Sequence, residues 1–150
     1  MRSYGVAFIG HRRIEHDYGL EDRLEEMVMD LLHRHEYLEF YVGRNGDFDT
    51  SAAAAVKRAQ RRFGTGSSSL NLVLPYRVKD EEHYAKYYDE IMYPIGPDVH
   101  FKAAITKRNE WMINQANFAI AYVKQFTGGA NTALEYAKAR KVDFINIAYS

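Results

Sequence analysis

Five short apolar runs, Tyr4 to Ile9, Leu38 to Val42, Leu70 to Leu74, Phe118 to Val123 and Phe144 to Ile147, alternate along the chain with longer helix-patterned segments. Strand-length runs with little polar alternation suit strands covered on both faces, and interleaved helices supply the covers. The alternation therefore predicts βαβ units and a Rossmann-like α/β fold, a doubly wound, mainly parallel sheet in three layers. With 150 residues there is room for one such domain with a real core, spanning 1–150.

The helix patterns fill in the outline. Leu20, Leu24, Met27, Val28, Leu31 and Leu32 recur at helical spacing with charged residues between them, which predicts a helix lying on the sheet. A second helix is expected from Thr50 to Phe63, capped by Asp49 or Thr50, with Lys57, Arg58, Arg61 and Arg62 as a solvated outer face. Asp80 to Met92 reads as a helix capped by Asp80, with Tyr84, Tyr87, Tyr88 and Ile91 on one side, ending before Pro94 and Pro97. Tyrosines so placed suit packing or a subunit contact better than base stacking, so a homodimer or larger homo-oligomer is expected. Two further helices are expected at Ala103 to Ala116 and at Asn131 to Lys141.

Composition narrows the partners. Twenty basic and twenty acidic residues cancel, so no long-range field favours a polyanion, and neither nucleic acid nor membrane is expected as a partner. No apolar stretch approaches the length of a membrane span, and the chain opens directly on a strand-like run, which together predict a cytoplasmic protein. The absence of cysteine excludes disulfides and thiolate chemistry. The six histidines lack metal-ligand spacing, since His33 and His35 fall on different helix faces, so neither a metal nor another cofactor is expected.

In an open parallel sheet the ligand sits beyond the carboxyl ends of the strands. Three loops at that edge stand out. Gly10-His11-Arg12-Arg13 follows the first strand, Gly43-Arg44-Asn45-Gly46-Asp47-Phe48-Asp49 the second, and Thr127-Gly128-Gly129-Ala130-Asn131-Thr132 the last but one. Small residues that open a helix expose free amide N–H groups, which bind an anion without needing net positive charge. A phosphate-bearing small molecule is the natural candidate.

The run Arg108-Asn109-Glu110-Trp111-Met112, followed by Phe118 to Val123 and then Thr127 to Glu135, resembles the SLOG superfamily. That group includes the Lonely Guy phosphoribohydrolases, whose signature is RKxxM followed by PGGxGTxxE, and the small YpsA-like proteins. Ala7 to Arg12 and Gly43 to Asp49 are more similar to the YpsA-like branch. The resemblance implies that Gly128, Gly129 and Thr132 hold a phosphate. It also implies that Arg108 and Glu135 would serve catalysis if the chain hydrolyses its ligand. Thr127 stands where the signature has proline and Asn131 where it has its third glycine, and asparagine tolerates left-handed backbone.

The ligand-binding set expected is therefore Gly10, His11, Arg12, Gly43, Gly46, Asp49, Arg108, Gly128, Gly129, Asn131 and Thr132. Arg108 is suited to bidentate phosphate binding or to bracing Glu135. Asp49 is open to reading as a helix cap or a ribose-hydroxyl acceptor. The function expected is a non-catalytic module that binds a nucleotide or an ADP-ribose-like ligand at the sheet edge. The alternatives are hydrolysis of nucleoside 5′-monophosphates and a structural or protein-interaction role.

Overall fold

The computed structural model describes residues 3–44 and 46–149. Among them six strands form one all-parallel sheet in the order β4-β3-β2-β1-β5-β6. The strands are β1 (Ser3–Gly10), β2 (Tyr37–Val42), β3 (Ser68–Val73), β4 (Glu90–Met92), β5 (Phe118–Tyr122) and β6 (Asp143–Asn146). The helices are α1 (Leu20–Arg34), α2 (Asp47–Phe63), the single-turn α3 (Glu81–Ala85), α4 (Phe101–Gln115) and α5 (Gly129–Ala139), and a 3-10 turn runs Ile147–Tyr149.

Side chains alternate across β1 and so divide the core. Val6 and Phe8 face α1 and α2, where they join Leu24, Val28, Phe40, Phe48 and Val56 in the main cluster. Ala7 faces Met112 of α4, and Ile9 faces Ile113 of α4 with Ala133 and Ala137 of α5. Small residues on this second face let α4 and α5 approach closely, and the result is the three-layer arrangement expected from the alternation.

Three local expectations need correction. Asp80 to Met92 is not one helix. The backbone N–H of Asp89 donates to the Leu70 carbonyl at 2.9 Å, and the Asp89 carboxylate accepts the Leu70 N–H at 2.7 Å. This pairing with β3 draws the chain into β4, so tertiary hydrogen bonding overrides the helical pattern. The tyrosines consequently do not form one exposed stripe. Tyr88 packs on the main cluster, where burial pushes its hydroxyl up to about 12. Tyr84 and Tyr87 lie under the cations of Arg44 and Lys57. The surface argument for an oligomer loses that premise.

The basic face of α2 is not simply solvated either. Arg58 pairs with Glu21, Asp22 and Glu25 of α1, and Arg62 with Glu25 and Glu26. Glu25 is only 5% exposed, so its two arginines compensate a carboxylate taken out of water. Finally, α2 begins at Asp47 rather than at Thr50, and neither Asp49 nor Thr50 caps it. The N–H groups of Asp47 and Phe48 are instead taken by the carbonyls of Arg12 and His11, at 2.8 and 3.4 Å.

The turn from α4 into β5 is seated on β1 by a reciprocal pair. Asn117 N–H donates to the Gly5 carbonyl and Gly5 N–H to Asn117 Oδ1, each at 2.8 Å. A Cβ at Gly5 would lie 2.6 Å from the Gln115 carbonyl oxygen, a backbone atom that cannot swing aside. We predict that Gly5→Ala destabilises the protein by about 1–3 kcal/mol through overpacking. Urea unfolding checks this, and an unchanged midpoint would contradict the close approach.

Candidate functional site

The sheet order reverses at β1, whose two neighbours are β2 and β5. Connections leave in opposite directions from this point, so the chain diverges beyond the strand ends and leaves a crevice. A cavity of about 460 Å³ lies there. Its walls are the segment after β1 (Gly10 to Arg13), Gly43, Gly46 and Asp49 after β2, Gln125 and 127–130 after β5, and one face of α4.

Each wall is fixed by a physical constraint. Gly10 ends β1 against the Phe48 ring. The segment after it is fastened to the start of α2, because Asp47 N–H donates to Arg12 O and Ile14 N–H donates to Asp47 Oδ2, both at 2.8 Å. Gly46 makes that fastening feasible, since a Cβ there would lie 2.4 Å from Arg12 Cα. Gly43 similarly clears space for the Arg108 guanidinium and the Asp49 carboxylate, which would lie 2.7 and 3.0 Å from an added Cβ.

Arg108 is 4% exposed. Its Nη1 donates to the Val73 carbonyl at 2.9 Å and its Nε to Asn109 Oδ1 at 2.8 Å. Burial pulls its guanidinium below the usual arginine value, and the nearby Asp49 carboxylate works against that fall. Asp49 is thus the charge beside Arg108, in place of the Glu135 considered from sequence. Planar guanidinium geometry leaves further donors on the same group, and the residue lines the cavity.

The third wall is the start of α5. Gly128 has φ of +96°, a left-handed conformation that glycine adopts without strain. It carries no side-chain cap, the first-turn amides of a helix have no intrahelical acceptors, and Gly129 and Ala130 of that turn line the cavity. At the same edge His11 Nε2 accepts the N–H groups of Lys124 and Gln125, at 2.7 and 3.4 Å. Burial and the neighbouring Lys124 cation lower the pKa of His11 from its ordinary 6.5.

The structure brings Gly10, His11, Arg12, Gly43, Gly46, Asp49, Arg108, Gly128 and Gly129 to this one cavity. It places three other candidates elsewhere. Asn131 Nδ2 donates to Phe126 O at 2.8 Å and braces the loop from behind. The Thr132 hydroxyl donates to Gly128 O at 3.0 Å, and the residue lines a smaller groove between α4 and α5 with Asn109, Glu110 and Tyr136. Glu135 is exposed and pairs with Lys138 at 3.2 Å. Glu135 is six residues after Gly129 in α5, and at about 100° per residue its side chain has turned well away from the face that Gly129 opens.

Sequence reasoning passed over Ile105, Asn109, Met112 and Gln125, all in the cavity wall. The first three were legible, because with Arg108 they fall at i, i+3, i+4 and i+7 on one helix face. Among the described residues no helix is long and apolar enough to cross a membrane.

Parallel sheet, three layers and a crevice at the strand-order reversal place the protein in the Rossmann-like α/β class. No family model matches the sequence, and no curated protein matches it by sequence. Solved structures do share the fold. DNA processing protein A (DprA) from Streptococcus pneumoniae superposes with a TM-score of 0.68 at 17% identity, over 94% of this chain and 49% of that one. DprA from Helicobacter pylori gives 0.63 at 15% identity, over 94% and 63%. TM1055, a structural genomics target, gives 0.60 at 14% identity, over 94% and 72%.

This chain therefore spans about half of the first neighbour and under two thirds of the second. The likenesses show a shared Rossmann-like fold, as the alternation of strands and helices in the sequence predicts. They also overturn one expectation. The H. pylori structure is described by its single-stranded DNA binding mode, so the exclusion of nucleic acid drawn from zero net charge does not stand for this scaffold.

Replacing Arg108 tests whether its anchoring is structural. Arg108→Met keeps the length of the side chain and removes the donor to the Val73 carbonyl. We expect a loss of about 1–3 kcal/mol in unfolding free energy, read from urea titration. An unchanged midpoint would show that Val73 is satisfied otherwise.

Proposed function

We propose that the protein binds a nucleotide or an ADP-ribose-like derivative in the 460 Å³ cavity, as a non-catalytic sensor or regulatory module of the YpsA-like kind. The observation that carries this reading is that the start of α5, at Gly128 to Ala130, and the buried Arg108 line one cavity. A phosphate there gains hydrogen bonds from fixed N–H groups, the positive end of the helix dipole and a charged donor, none of which needs to reorganise. The volume lies within the range of about 300–1,000 Å³ typical of small-molecule sites. Asp49, beside Arg108, is an acceptor suited to a sugar hydroxyl.

Binding without turnover is favoured over hydrolysis by the place of Glu135. A hydrolase of the Lonely Guy kind needs Arg108 and Glu135 on one substrate, and Glu135 stands outside the cavity wall with Lys138 as its partner. The fold shared with a protein described as binding single-stranded DNA makes a polymeric phosphate ligand the outcome to be tested against.

Thermal unfolding with AMP, ADP, ADP-ribose and a short single-stranded oligonucleotide decides between them. At a ligand concentration a hundredfold above its dissociation constant, binding adds about 2.7 kcal/mol of stability. We expect this from a nucleotide or ADP-ribose, and a shift with the oligonucleotide alone would overturn the reading. Gly129 supplies the site control, since an added Cβ there meets nothing within 4 Å. Gly129→Leu should keep the unfolding midpoint of the free protein and abolish the ligand-induced shift.

A further inference from the structure

The segment 124–129 is exposed throughout, yet it delivers the positive-φ turn at Gly128 to the cavity. Besides the bonds from Thr132 to the Gly128 carbonyl within α5, three contacts among the described residues tie it down. From behind, Asn131 Nδ2 donates to Phe126 O. From the C-terminal turn, the Tyr149 hydroxyl donates to Lys124 O at 3.3 Å. From the β1 side, His11 Nε2 accepts two successive backbone N–H groups, those of Lys124 and Gln125. His11 is thus the tie between the loop after β1 and the loop after β5, two walls of the same cavity.

An imidazole nitrogen that accepts two N–H groups must carry no proton. The ring is then neutral with its proton on Nδ1, which fixes the tautomer. We propose that neutral His11 is the positioning residue for the α5 anion loop, and that protonating it at Nε2 releases Lys124 and Gln125 and makes ligand binding acid-sensitive. His11 does not act as a general acid through Nε2, because that atom has no proton to give in the bound geometry. Its Nδ1–H is left as a donor on a residue lining the cavity.

The surroundings agree in sign. Lys124 faces the ring from the β5 loop and disfavours a second cation. Arg12, Arg13 and Arg108 line the same cavity, with Asp49 the carboxylate among them. From β5 the Tyr122 ring meets His11 edge-on at 6.4 Å, and its hydroxyl donates to Asp17, which in turn pairs with Arg23 of α1. Burial also favours the neutral ring. With the folded value below the ordinary 6.5, the unfolded chain takes up the proton first. Loop order is therefore complete above that value and is lost as pH falls through the folded value.

The test has one arm that depends on the nucleotide reading and one that does not. In the free protein, amide hydrogen exchange is followed at Lys124 and Gln125 between pH 7.5 and about pH 5 and expressed as protection over the intrinsic rate. We expect protection at both amides to collapse on acidification in the native protein and to be lost at every pH in His11→Ala. In His11→Gln, whose side-chain carbonyl accepts but does not titrate, it should persist across the range. Protection at Lys124 and Gln125 that ignores both acid and His11→Ala would overturn the proposal.

In the second arm, ADP-ribose affinity is measured by calorimetry over the same range. His11→Ala should weaken it roughly tenfold at neutral pH, the equivalent of one to two hydrogen bonds. His11→Gln should restore it and flatten its pH dependence. An affinity for ADP-ribose that falls with acid equally in His11→Gln would count against His11 as the group responsible. If the native protein binds no ADP-ribose, the nucleotide reading fails while the exchange arm still decides the role of His11.

Discussion

The pairing of β1 with parallel neighbours on both sides, β2 at one edge and β5 at the other, is the constraint on which the cavity depends. Parallel strands cannot be joined by tight turns, so each connection crosses a face of the sheet as a helix. The crossings from β1 and β2 use one face, and those into and out of β5 use the other. Only at β1 do the two sets separate. Gly10, at the end of β1 and level with Tyr122 of β5, is therefore at the floor of the one place where four connections part company.

Two helix starts line the cavity, those of α2 and α5, and they meet different fates. The opening amides of α2 are consumed by the carbonyls of Arg12 and His11, a backbone-to-backbone closure that the missing Cβ of Gly46 permits. α2 therefore has its dipole satisfied by protein and serves to hold the β1 loop in place. α5 has no such partner at its capping residue, and the glycine there is chosen for its dihedral angle rather than for close approach. The asymmetry explains why, of the two glycine-led helix starts that line the cavity, the second is the one suited to an anion.

Much of this was legible in the sequence and some was not, for identifiable reasons. Five strands and the three glycine loops follow from short-range pattern, because burial on both faces and the need for special backbone act on consecutive residues. β4 was hidden because its pairing is decided by Asp89 and Leu70, nineteen positions apart, while Tyr84 to Met92 keep a helical spacing. The placement of Asn131, Thr132 and Glu135 was hidden differently. A signature fixes residues along the chain, but the three positions after the loop rotate around α5, and the Asn131 amide finds the Phe126 carbonyl of its own loop. The partners of Arg58 and Arg62 lie on α1, a helix away in space, which no reading of α2 alone reveals.

Net charge misled for a related reason. Equal numbers of acids and bases describe the far field of the chain, whereas the cavity wall carries the guanidinium groups of Arg12, Arg13 and Arg108 against the one carboxylate of Asp49. Within a few ångströms, in a crevice with low-dielectric walls, that local excess of cations sets the potential, and distant acids such as those on α1 are screened beyond about one Debye length. The same local field bears on His11. A neutral imidazole among cations is the state of lower energy, so the hydrogen bonds it accepts from Lys124 and Gln125 are reinforced by the groups that would receive the ligand. A ligand that needs the loop in place binds the form with neutral His11, and by reciprocity its binding lowers the proton affinity of that ring by the factor by which protonation weakens binding. Ligand binding and the acid sensitivity of the loop are thereby linked through one side chain rather than through a change of fold.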